Sequence, residues 1–452
     1  MLADVFSDEF SDDFGTLVDQ PGGPSDIYTD IWTDYYGIGI PPTGPTDPDP
    51  GPIIVLPPPR PQMSWVPRVR LGNLLLADPL LFEDLVLIER YGQPDTLSIT
   101  GHIDDLRPAF QAGTGIVLVD DMGVQRFSGV APQFPKVFVE RRGDHSATIN
   151  YDSDLVYLWE RSCYPSPTRA FTSQTAGYDV QTGVQEDRIV GYIERNAGAS
   201  AYHLGTFDRR VPSLSIPASQ GRGTSAKTSG RFQNLGELVA RMAEQANLRV
   251  TIRHDVLAGL LRVTIDEVPD LSRWARFGDA GSGDLGLLGE DWRYAVGAPG
   301  ATVVLSAAKG QLENRALNVL EDNTRKTAWG RHIEFFVDQR GTDDSSEIAA
   351  GMKAAMDENA PTMEAAAPIA AGDLDFGPGE GSIPIGAKVA VNLDGEVVVD
   401  RVRQVTTTVS VTPGEPTVKV EPLFGSPDAA IPISEKALRR ALSRLRNLER
   451  TQ

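Results

Sequence analysis

The stretch Asp187–Asp270 decides the fold class of this chain. Its first part reads DRIVGYIERNAGASAYHLGTFDRRVPSLSI, and after a loop rich in Gly, Ser, Thr and Lys it continues as GRFQNLGELVARMAEQANLRVTIRHDVLAGLLRVTIDEVPD. The first part predicts a helix that stops at an Asn-Ala-Gly sequence and leads to a short apolar strand. The second part predicts a helix within Phe232–Asn247 and then the strands Leu248–Ile252 and Leu260–Ile265. The apolar residues of the second helix recur at helical spacing: Leu235, Leu238, Val239, Met242 and Ala243.

The segment Trp65–Trp159, which precedes this stretch, has a sequence pattern typical of a β module. Residues 95–105 (DTLSITGHIDD) alternate between apolar and polar side chains, as a half-buried strand does. Ile116–Val119 and Val124–Val130 predict a hairpin, whereas the apolar run LFEDLVLIER at 81–90 is compatible with a helix or a strand. Many short strands with Gly and Asp turns indicate a small barrel or sandwich.

The segment after the stretch returns to β structure. Thr302–Leu305 and Trp329–Val337 predict strands, and Ser345–Asn359 predicts a helix rich in Ala, Met and acidic residues. Ile383–Phe424 predicts four to five strands with Asp-Gly and Pro-Gly turns, which together suit a second small barrel.

The predicted fold class is therefore mainly β with an α+β insert. Two small β-barrel modules bracket an α/β central region, and an extended N-terminal arm and a C-terminal helix flank them. The predicted boundaries are 1–63 for the arm, 64–160 for the first module, 161–290 for the insert, 291–379 for a linking region of strands and a helix, 380–426 for the second module and 427–452 for the C-terminal helix.

The amino-acid composition excludes several classes of function. The chain has 452 residues, an apolar content of 40%, a net charge of -20 and a pI near 4.7. Such acidity argues against non-specific binding to nucleic acids or anionic membranes, because both favour Lys and Arg. No run approaches the roughly 20 apolar residues of a membrane span, and the N-terminus lacks the features of a secretory signal. One cysteine, Cys163, excludes an intramolecular disulfide and a Cys-based zinc cluster, so we expect a buried thiol in a chain made in a reducing cytosol.

The first 63 residues form a separate acidic, proline-rich arm. They contain eleven Asp or Glu, twelve Pro and a single basic residue, Arg60. Such a segment cannot form a packed core alone, and its Pro-rich part favours extended polyproline II. Either it is an unstructured tail, or it becomes ordered when its aromatic residues lie on a neighbouring protein. The candidate contact residues are Phe6, Phe10, Phe14, Tyr28, Trp32, Tyr35 and Tyr36.

The C-terminus predicts a basic amphipathic helix that begins after Ser434 and ends near Arg450. Its apolar stripe lies beside five arginines, and it either packs on its own domain or binds a partner or a second copy. The stripe consists of Leu438, Leu442, Leu445 and Leu448.

Motifs for catalysis and metal binding are weak in this sequence. The histidines have no zinc-motif spacing, and Gly281–Gly286 matches a dinucleotide pattern outside any βαβ unit, so a turn is the better interpretation. No phosphate loop and no Gly-x-Ser-x-Gly elbow occur. We therefore expect no catalytic residues, no cofactor and no metal. The five histidines are His102, His145, His203, His254 and His332.

Acidic residues are abundant, but they are expected at turns. The pairs Asp104/Asp105 and Asp373/Asp375 are formal candidates for glycan cleavage. The pair Asp47/Asp49 and the cluster Asp343–Glu347 are formal candidates for calcium, but neither fits the EF-hand pattern. We expect all four groups to be solvated loop residues.

Several sequence motifs, in the order in which they follow one another along the chain, resemble those of a known family. They are FSGV, ERNAG, RRVPSLSI, GRFQNLGELVARMAEQANLRVTI, VPDLSRWARFGDAGSGDLGLL, APGATVVLSAAKG, WGRHIEFFVDQRG and, at the end, IPIGAKVAVNLDG followed by VTTTVSVTPGEPTVKVEPLFG. Over about residues 64–425 the chain resembles the minor tail proteins, or tail-tip (baseplate) hubs, of actinobacterial siphophages. That family looks related in fold to the central hub of contractile phage tails.

The resemblance implies a non-enzymatic virion protein at the tail tip, made in the bacterial host cytoplasm. It implies a homotrimer that adapts a six-fold tail tube to a three-fold tip. The implied partners are the distal tail protein ring, the C-terminus of the tape-measure protein and other minor tail or receptor-binding proteins. The arm and the C-terminal helix depart from the family core, so the resemblance assigns them no role.

Two other classes of function remain open from the sequence. A tail protein that binds or cleaves host cell-wall glycans would carry exposed aromatic platforms. A soluble bacterial enzyme would need a motif that we do not find.

Overall fold

The computed structural model describes residues 65–425, except for residues 73, 112, 121–122, 132–135, 142–143, 206, 279–285, 288–292, 312–313, 369–375, 378–381, 394–395 and 413–414. Its helices are α1 (Val156–Trp159), α2 (Gln185–Asn196), α3 (Leu235–Gln245), α4 (Asn323–Trp329) and α5 (Ser345–Glu358), with short 3-10 helices at Arg107–Phe110 and Phe171–Ser173. No helix in the described part is both long enough and apolar enough to cross a membrane.

Strands dominate the described part of the chain. They are β1 (Val66–Leu71), β2 (Leu74–Pro79), β3 (Asp84–Arg90), β4 (Thr96–His102), β5 (Thr114–Val119), β6 (Gln125–Val130), β7 (Lys136–Arg141), β8 (Asp144–Ser153), β9 (Asp179–Val184), β10 (His203–Leu204), β11 (Phe207–Asp208), β12 (Leu214–Ser215), β13 (Ser225–Gly230), β14 (Leu248–Asp255), β15 (Leu260–Glu267), β16 (Arg276–Gly278), β17 (Gly286–Leu287), β18 (Arg293–Gly297), β19 (Val303–Ala307), β20 (Leu317–Glu321), β21 (Glu334–Asp338), β22 (Thr362–Pro368), β23 (Lys388–Leu393), β24 (Glu396–Thr412) and β25 (Glu415–Phe424).

The central stretch folds as the sequence predicts. Helix α2 ends at Asn196, and α3 begins after Asn234, whose side chain caps the helix by accepting a hydrogen bond from the amide of Glu237. Strands β14 and β15 form the predicted antiparallel hairpin, and β12 pairs with β15 in parallel. The apolar faces of α2, α3 and the hairpin enclose one core, which confirms the α+β insert.

The first module buries alternate residues of its strands. Leu85, Leu87, Leu97 and Ile99 on β3 and β4 are fully buried, because the period-2 pattern places them on one face of the sheet. The apolar segment 81–90, which the sequence allowed as either a helix or a strand, is therefore a strand from Asp84 onward. These residues form a second core with the neighbouring strands.

Strand β24 joins the two β modules. Its first part pairs with β23, and its second part lies between β3 and β25, with a register irregularity between Val402 and Gln404. The strands of both modules therefore belong to one sheet of fifteen strands, whose main path runs β17-β16-β23-β24-β3-β4-β8-β6-β5-β1-β2. The mainly β class is confirmed, but neither module closes into a barrel within the described residues.

Two sequence-based strand assignments were wrong. Trp329 ends helix α4, which Asp322 caps and Gly330 terminates in a left-handed conformation (φ 59°), and the strand starts only at Glu334. The described part of Ile383–Phe424 contains three strands rather than four to five, because 396–412 is one continuous strand of β-branched residues that bends at its irregularity.

A third β unit follows the insert. Strand β19 lies between β20, its antiparallel neighbour, and β21, its parallel neighbour. Helix α5 packs on one face of this small sheet through Ile348, Met352, Ala355 and Met356. The predicted helix at Ser345–Asn359 is thereby confirmed.

We predict that Gly236→Ala in α3 destabilises the protein, although alanine is the better helix former by about 1 kcal/mol. A Cβ at Gly236 would overlap the indole ring of Trp159, which packs directly on the helix. Overpacking of this kind costs about 1–3 kcal/mol, measurable by chemical denaturation. The double variant Gly236→Ala/Trp159→Leu should regain part of the loss, and a single variant as stable as the parent protein would contradict the packing.

Candidate functional site

The single cysteine is structural. Cys163 is fully buried in the core of the insert, and its burial raises the pKa of the thiol to about 12. A thiol with so high a pKa stays protonated near neutral pH, so it is a poor nucleophile. The expected buried thiol is confirmed.

The histidines form no complete metal site in the described part of the chain. The rings of His102 and His145 lie 6.0 Å apart on neighbouring strands, a proximity that sequence spacing did not reveal. His254 is fully buried on β14. Among the residues that the structure describes, no group of three His, Cys, Asp or Glu side chains is arranged to hold a metal ion.

Three of the described acidic candidates, Asp104, Asp343 and Asp344, have structural partners. Asp104 forms an ion pair with Arg107, and Asp343 forms one with Lys309 at 2.9 Å. Asp344 caps α5 by accepting hydrogen bonds from the amides of Ser346 and Glu347. The pairs Asp47/Asp49 and Asp373/Asp375, and most of the Gly281–Gly286 turn, lie outside the described residues.

A buried charged seam lies between the first module, the second module and the insert, and Arg126 is at its centre. The Arg126 guanidinium donates a hydrogen bond of 2.7 Å to Glu89 and one of 3.0 Å to the carbonyl oxygen of Phe376. It lies 3.7 Å from a carboxylate oxygen of Asp120 and 5.4 Å from the ring centre of Trp65. Glu89 and Arg126 are almost completely buried, so each is the main charge compensation for the other.

A second part of the seam links the first module to the insert. The buried carboxylate of Asp154 forms an ion pair with Arg70 and accepts a hydrogen bond of 2.6 Å from the Ser128 hydroxyl. The same hydroxyl accepts a hydrogen bond of 2.8 Å from the backbone amide of His254. Burial raises the pKa of Asp154, while Arg70 opposes this effect.

Polar contacts also link the insert to residues of the second module and to the end of β3. The Tyr91 hydroxyl donates to the carbonyl oxygen of Leu248 at 3.0 Å, and Arg401 donates to the side-chain oxygen of Asn247. Asn247 has a left-handed backbone (φ 54°), which Asn tolerates better than most residues. The insert is therefore oriented by directional bonds from both sides.

An apolar surface lies on the outer face of the β19–β21 sheet, opposite α5. Leu305 of β19 pairs with Val319 of β20 and with Phe336 of β21, so the three side chains form one row. Leu317 adjoins this row, and the exposed fractions are 76% for Leu317, 60% for Val319 and 58% for Phe336. Contiguous exposed apolar residues of this kind are typical of interaction surfaces.

An aromatic cluster lies on the insert. The rings of Tyr164, Phe171 and Phe232 have centres 5.7–6.0 Å apart, and Phe171 is 59% exposed. The Arg209 guanidinium stacks 3.5 Å from the centre of the Tyr164 ring. Phe232 adopts a left-handed backbone (φ 51°), which is unfavourable for a bulky residue and marks positions where the surroundings impose a conformation.

The partner-binding residues predicted from the sequence lie outside the described residues. They are Phe6, Phe10, Phe14, Tyr28, Trp32, Tyr35 and Tyr36 in the arm and Leu438, Leu442 and Leu445 in the C-terminal segment, and their role stays a prediction. Sequence reasoning missed the seam, the outer sheet face and the aromatic cluster. Leu317 and Val319, separated by Asn318, were a weak signal for β20, but no local signal showed that its outer face is exposed.

Comparison with protein families gives one match. The family described as "Siphovirus ReqiPepy6 Gp37-like protein" matches residues 81–426, which is most of the chain. The comparison with curated protein sequences gives no match.

Comparison with solved structures gives distant likenesses. A tail protein from Neisseria meningitidis MC58 is 13% identical with a TM-score of 0.48, and the match covers 81% of this chain and 97% of that one. The 43 kDa tail protein of prophage MuSo2 from Shewanella oneidensis is 12% identical with a TM-score of 0.45, covering 80% and 98%. An E. coli component of the type VI secretion system, described as similar to the T4 tail proteins gp27 and gp5, is 8% identical with a TM-score of 0.38, covering 80% and 77%. No functional conclusion follows from likenesses at this level.

We predict that Asp95, next to the seam, makes stability depend on pH. Burial raises the pKa of its carboxyl from 3.8 to about 6, although Arg249 opposes the shift. The carboxyl of Asp95 therefore binds a proton more tightly in the folded protein than in the unfolded chain. The stability that this bound proton contributes is fully present below about pH 4 and is lost as the pH rises through about 6. As the pH rises from 4 to 7, the free energy of unfolding of Asp95→Asn should increase by on the order of 1–3 kcal/mol relative to that of the parent protein. Parallel pH profiles in denaturant titrations would contradict this assignment.

Proposed function

Because the chain belongs to the siphovirus ReqiPepy6 Gp37-like family, we propose that it is a structural protein of the phage tail, located at the tail tip as a hub. The observation that carries the proposal is the family match over residues 81–426. The order of sequence motifs across the same region agrees with it, because those motifs resemble minor tail proteins of actinobacterial siphophages. The resemblance supplies the tail-tip position and the hub role.

The proposed hub is a homotrimer that adapts a six-fold tube to a three-fold tip. It contacts the distal tail ring, the tape-measure C-terminus and other minor tail or receptor-binding proteins, and so helps to organise host attachment and genome delivery. A cyclic trimer needs a surface that meets a different surface of the next copy. The outer face of the β19–β21 sheet is our candidate for one of them, because its apolar residues Leu317, Val319 and Phe336 are exposed among the residues that the structure describes.

The proposed role is non-enzymatic. In the described part, the cysteine is buried and protonated, and three of the candidate carboxylates, Asp104, Asp343 and Asp344, have cationic or capping partners. The acidic net charge of -20 also fits a protein that does not hold DNA, since phosphate binding depends on Lys and Arg.

One observation favours a second function, the binding of host cell-wall glycan. The exposed ring of Phe171 and its aromatic neighbours offer an apolar surface, and Arg209 and Arg231 lie near the rings of Tyr164 and Phe232. Such a platform would suit the apolar face of a sugar ring. This alternative concerns the insert and does not exclude a tail-tip position.

We predict that electron microscopy of the purified full-length chain shows rings with three-fold symmetry and a central hole. Replacing Phe336 by Asp should shift the particles toward single chains, because a charge on the apolar row opposes its burial in a contact. The matched control is Val399→Asp, a change at a comparably exposed position (52%) on β24. Compact single particles from the parent protein at high concentration would count against the trimer, and equal effects of the two variants would count against the chosen surface.

We predict for the glycan alternative that the parent chain co-sediments with purified host cell walls and that Phe171→Ala reduces the bound fraction several-fold. The loss of one stacking ring removes about 1–1.5 kcal/mol of contact energy, which corresponds to a factor of about 5–10 in affinity. Exposed Leu257→Ala on the β14–β15 turn is the control. Absence of co-sedimentation would remove the alternative and leave the hub proposal intact.

A further inference from the structure

The third β unit, residues 298–361, is inserted between two strands that pair with each other. Strand β18 leads into the unit, β22 leads out of it, and the two strands form an antiparallel ribbon. The amides of Gly300 and Ala301 both donate hydrogen bonds to the carbonyl oxygen of Asn359, which closes the unit beside the ribbon. Both covalent connections of the third unit therefore run through one two-stranded ribbon.

The ribbon is a narrow attachment. Strand β22 joins the main sheet by pairing with the end of β25 at Ala367 and Pro368, and Pro368 has no amide hydrogen to donate. Within the described residues, β22 is the only strand that pairs with β18. A two-stranded ribbon is marginally stable alone, and its twist varies more than that of a wide sheet. The ribbon is thus a place at which the third unit can turn.

The third unit has an apolar core of its own. Helix α5 covers the inner face of the β19–β21 sheet, and every buried residue of this core belongs to the unit. These residues are Ala301, Val304, Ala308, Ile348, Met352, Ala355 and Met356. They stay enclosed when the unit turns as one body. Turning therefore avoids the exposure of an apolar core to water, which is the main cost of local opening.

The contact between the third unit and the insert is polar and centres on Lys227 of β13. The Lys227 ammonium lies 3.4 Å from a carboxylate oxygen of Asp344 and 3.3 Å from one of Glu347, both at the start of α5. The Ser229 hydroxyl on the same strand donates a hydrogen bond to Glu347. Lys227 is 27% exposed and Asp344 is 42% exposed, so solvent ions reach this group of charges. We call these four residues the latch.

Two further contacts join the third unit to the insert. The ring of Tyr178 packs against the backbone at Gly341, where a Cβ atom would overlap it. Arg241 of α3 lies 3.9 Å from Glu358 at the end of α5, and both side chains are more than half exposed. An exposed ion pair at this distance adds little stability. Lys227, which faces two carboxylates, is therefore the main electrostatic tie between the two parts.

We propose that the third unit is hinged at the β18–β22 ribbon and that the latch holds it against the insert. With the latch closed, α5 lies on β13, and the outer face of the β19–β21 sheet has a fixed orientation relative to the insert. With the latch open, the unit turns on the ribbon and carries that face with it. A rise in ionic strength favours the open state, because it screens partly exposed ion pairs. The hinge depends neither on the tail-tip position nor on the trimer.

Pulsed electron paramagnetic resonance on the full-length chain tests the hinge. Spin labels are attached to cysteines that replace Leu257 in the insert and Lys353 on α5, which are 100% and 74% exposed. Cys163 stays unlabelled, because its thiol is buried and has a pKa of about 12. Dilution with unlabelled chain before assembly restricts the measured distances to one copy. We expect two distances, with the share of the second rising with sodium chloride concentration.

A variant assigns the closed state to the latch. Lys227→Met removes the charge that faces Asp344 and Glu347, so at low salt it should raise the share of the second distance severalfold and weaken its dependence on salt. Lys309→Met is the matched control, because Lys309 pairs with Asp343 at 2.9 Å inside the third unit. This control should behave as the parent chain does.

The outcomes separate the hinge from the latch. A single distance that is the same at low and high salt and in Lys227→Met would overturn the hinge. Two distances whose shares are equal in Lys227→Met and Lys309→Met would overturn the role of the latch. The salt series on the labelled parent chain leaves the latch residues unchanged, so it decides the hinge even if Lys227→Met is unstable.

Discussion

The buried guanidinium of Arg126 is the constraint on which the arrangement of the modules depends. It contacts Glu89 on β3, Asp120 after β5 and the carbonyl oxygen of Phe376, while the ring of Trp65 lies 5.4 Å away. A charge so deep in a protein is tolerated only when ionic and polar partners replace the water that it has lost. The partners come from the first module and from Phe376, which packs in the apolar core of the second module, so the two modules can meet in only a narrow range of positions.

The insert is held by bonds of the same directional kind. Its apolar core is formed mainly by α2, α3 and the β14–β15 hairpin, and Leu155 and Leu158 of the first module pack in it as well. Polar contacts such as Ser128 with His254 and Tyr91 with Leu248 add to this attachment. Apolar burial is non-directional, whereas a hydrogen bond has an angle as well as a distance. The polar contacts of the seam therefore favour one orientation of the insert.

This division suits a protein whose role is assembly. Asp95 and Asp154, whose pKa values are raised by burial, lie next to or in the seam, and Glu186, whose pKa is lowered, forms a structural pair with Arg222. The features at the surface are instead apolar or aromatic: the outer face of the β19–β21 sheet and the rings around Phe171. An assembly protein needs surfaces that are held in a fixed geometry relative to one another. The polar seam between the β modules and the insert helps to hold them so.

The sequence by itself determined the α+β insert, the end of α2 at Asn196, a helix within Phe232–Asn247, and the alternation that buries Leu97 and Ile99. These features follow from local rules: capping chemistry acts over three or four residues, and strand alternation has a period of two. The family resemblance also needed only the sequence, because it rests on sequence motifs and on their order along the chain.

Only the tertiary structure decided how the β segments join. Residues 396–412 form one strand because β23, β25 and β3 supply partners along its whole length, and β3 is distant in sequence. The role of Arg126 was invisible for the same reason, since Phe376 is 250 residues away. Likewise, Leu317 and Val319 alternate as a strand with one buried side would, yet their face is uncovered, because exposure depends on what packs against a strand and not on its own pattern.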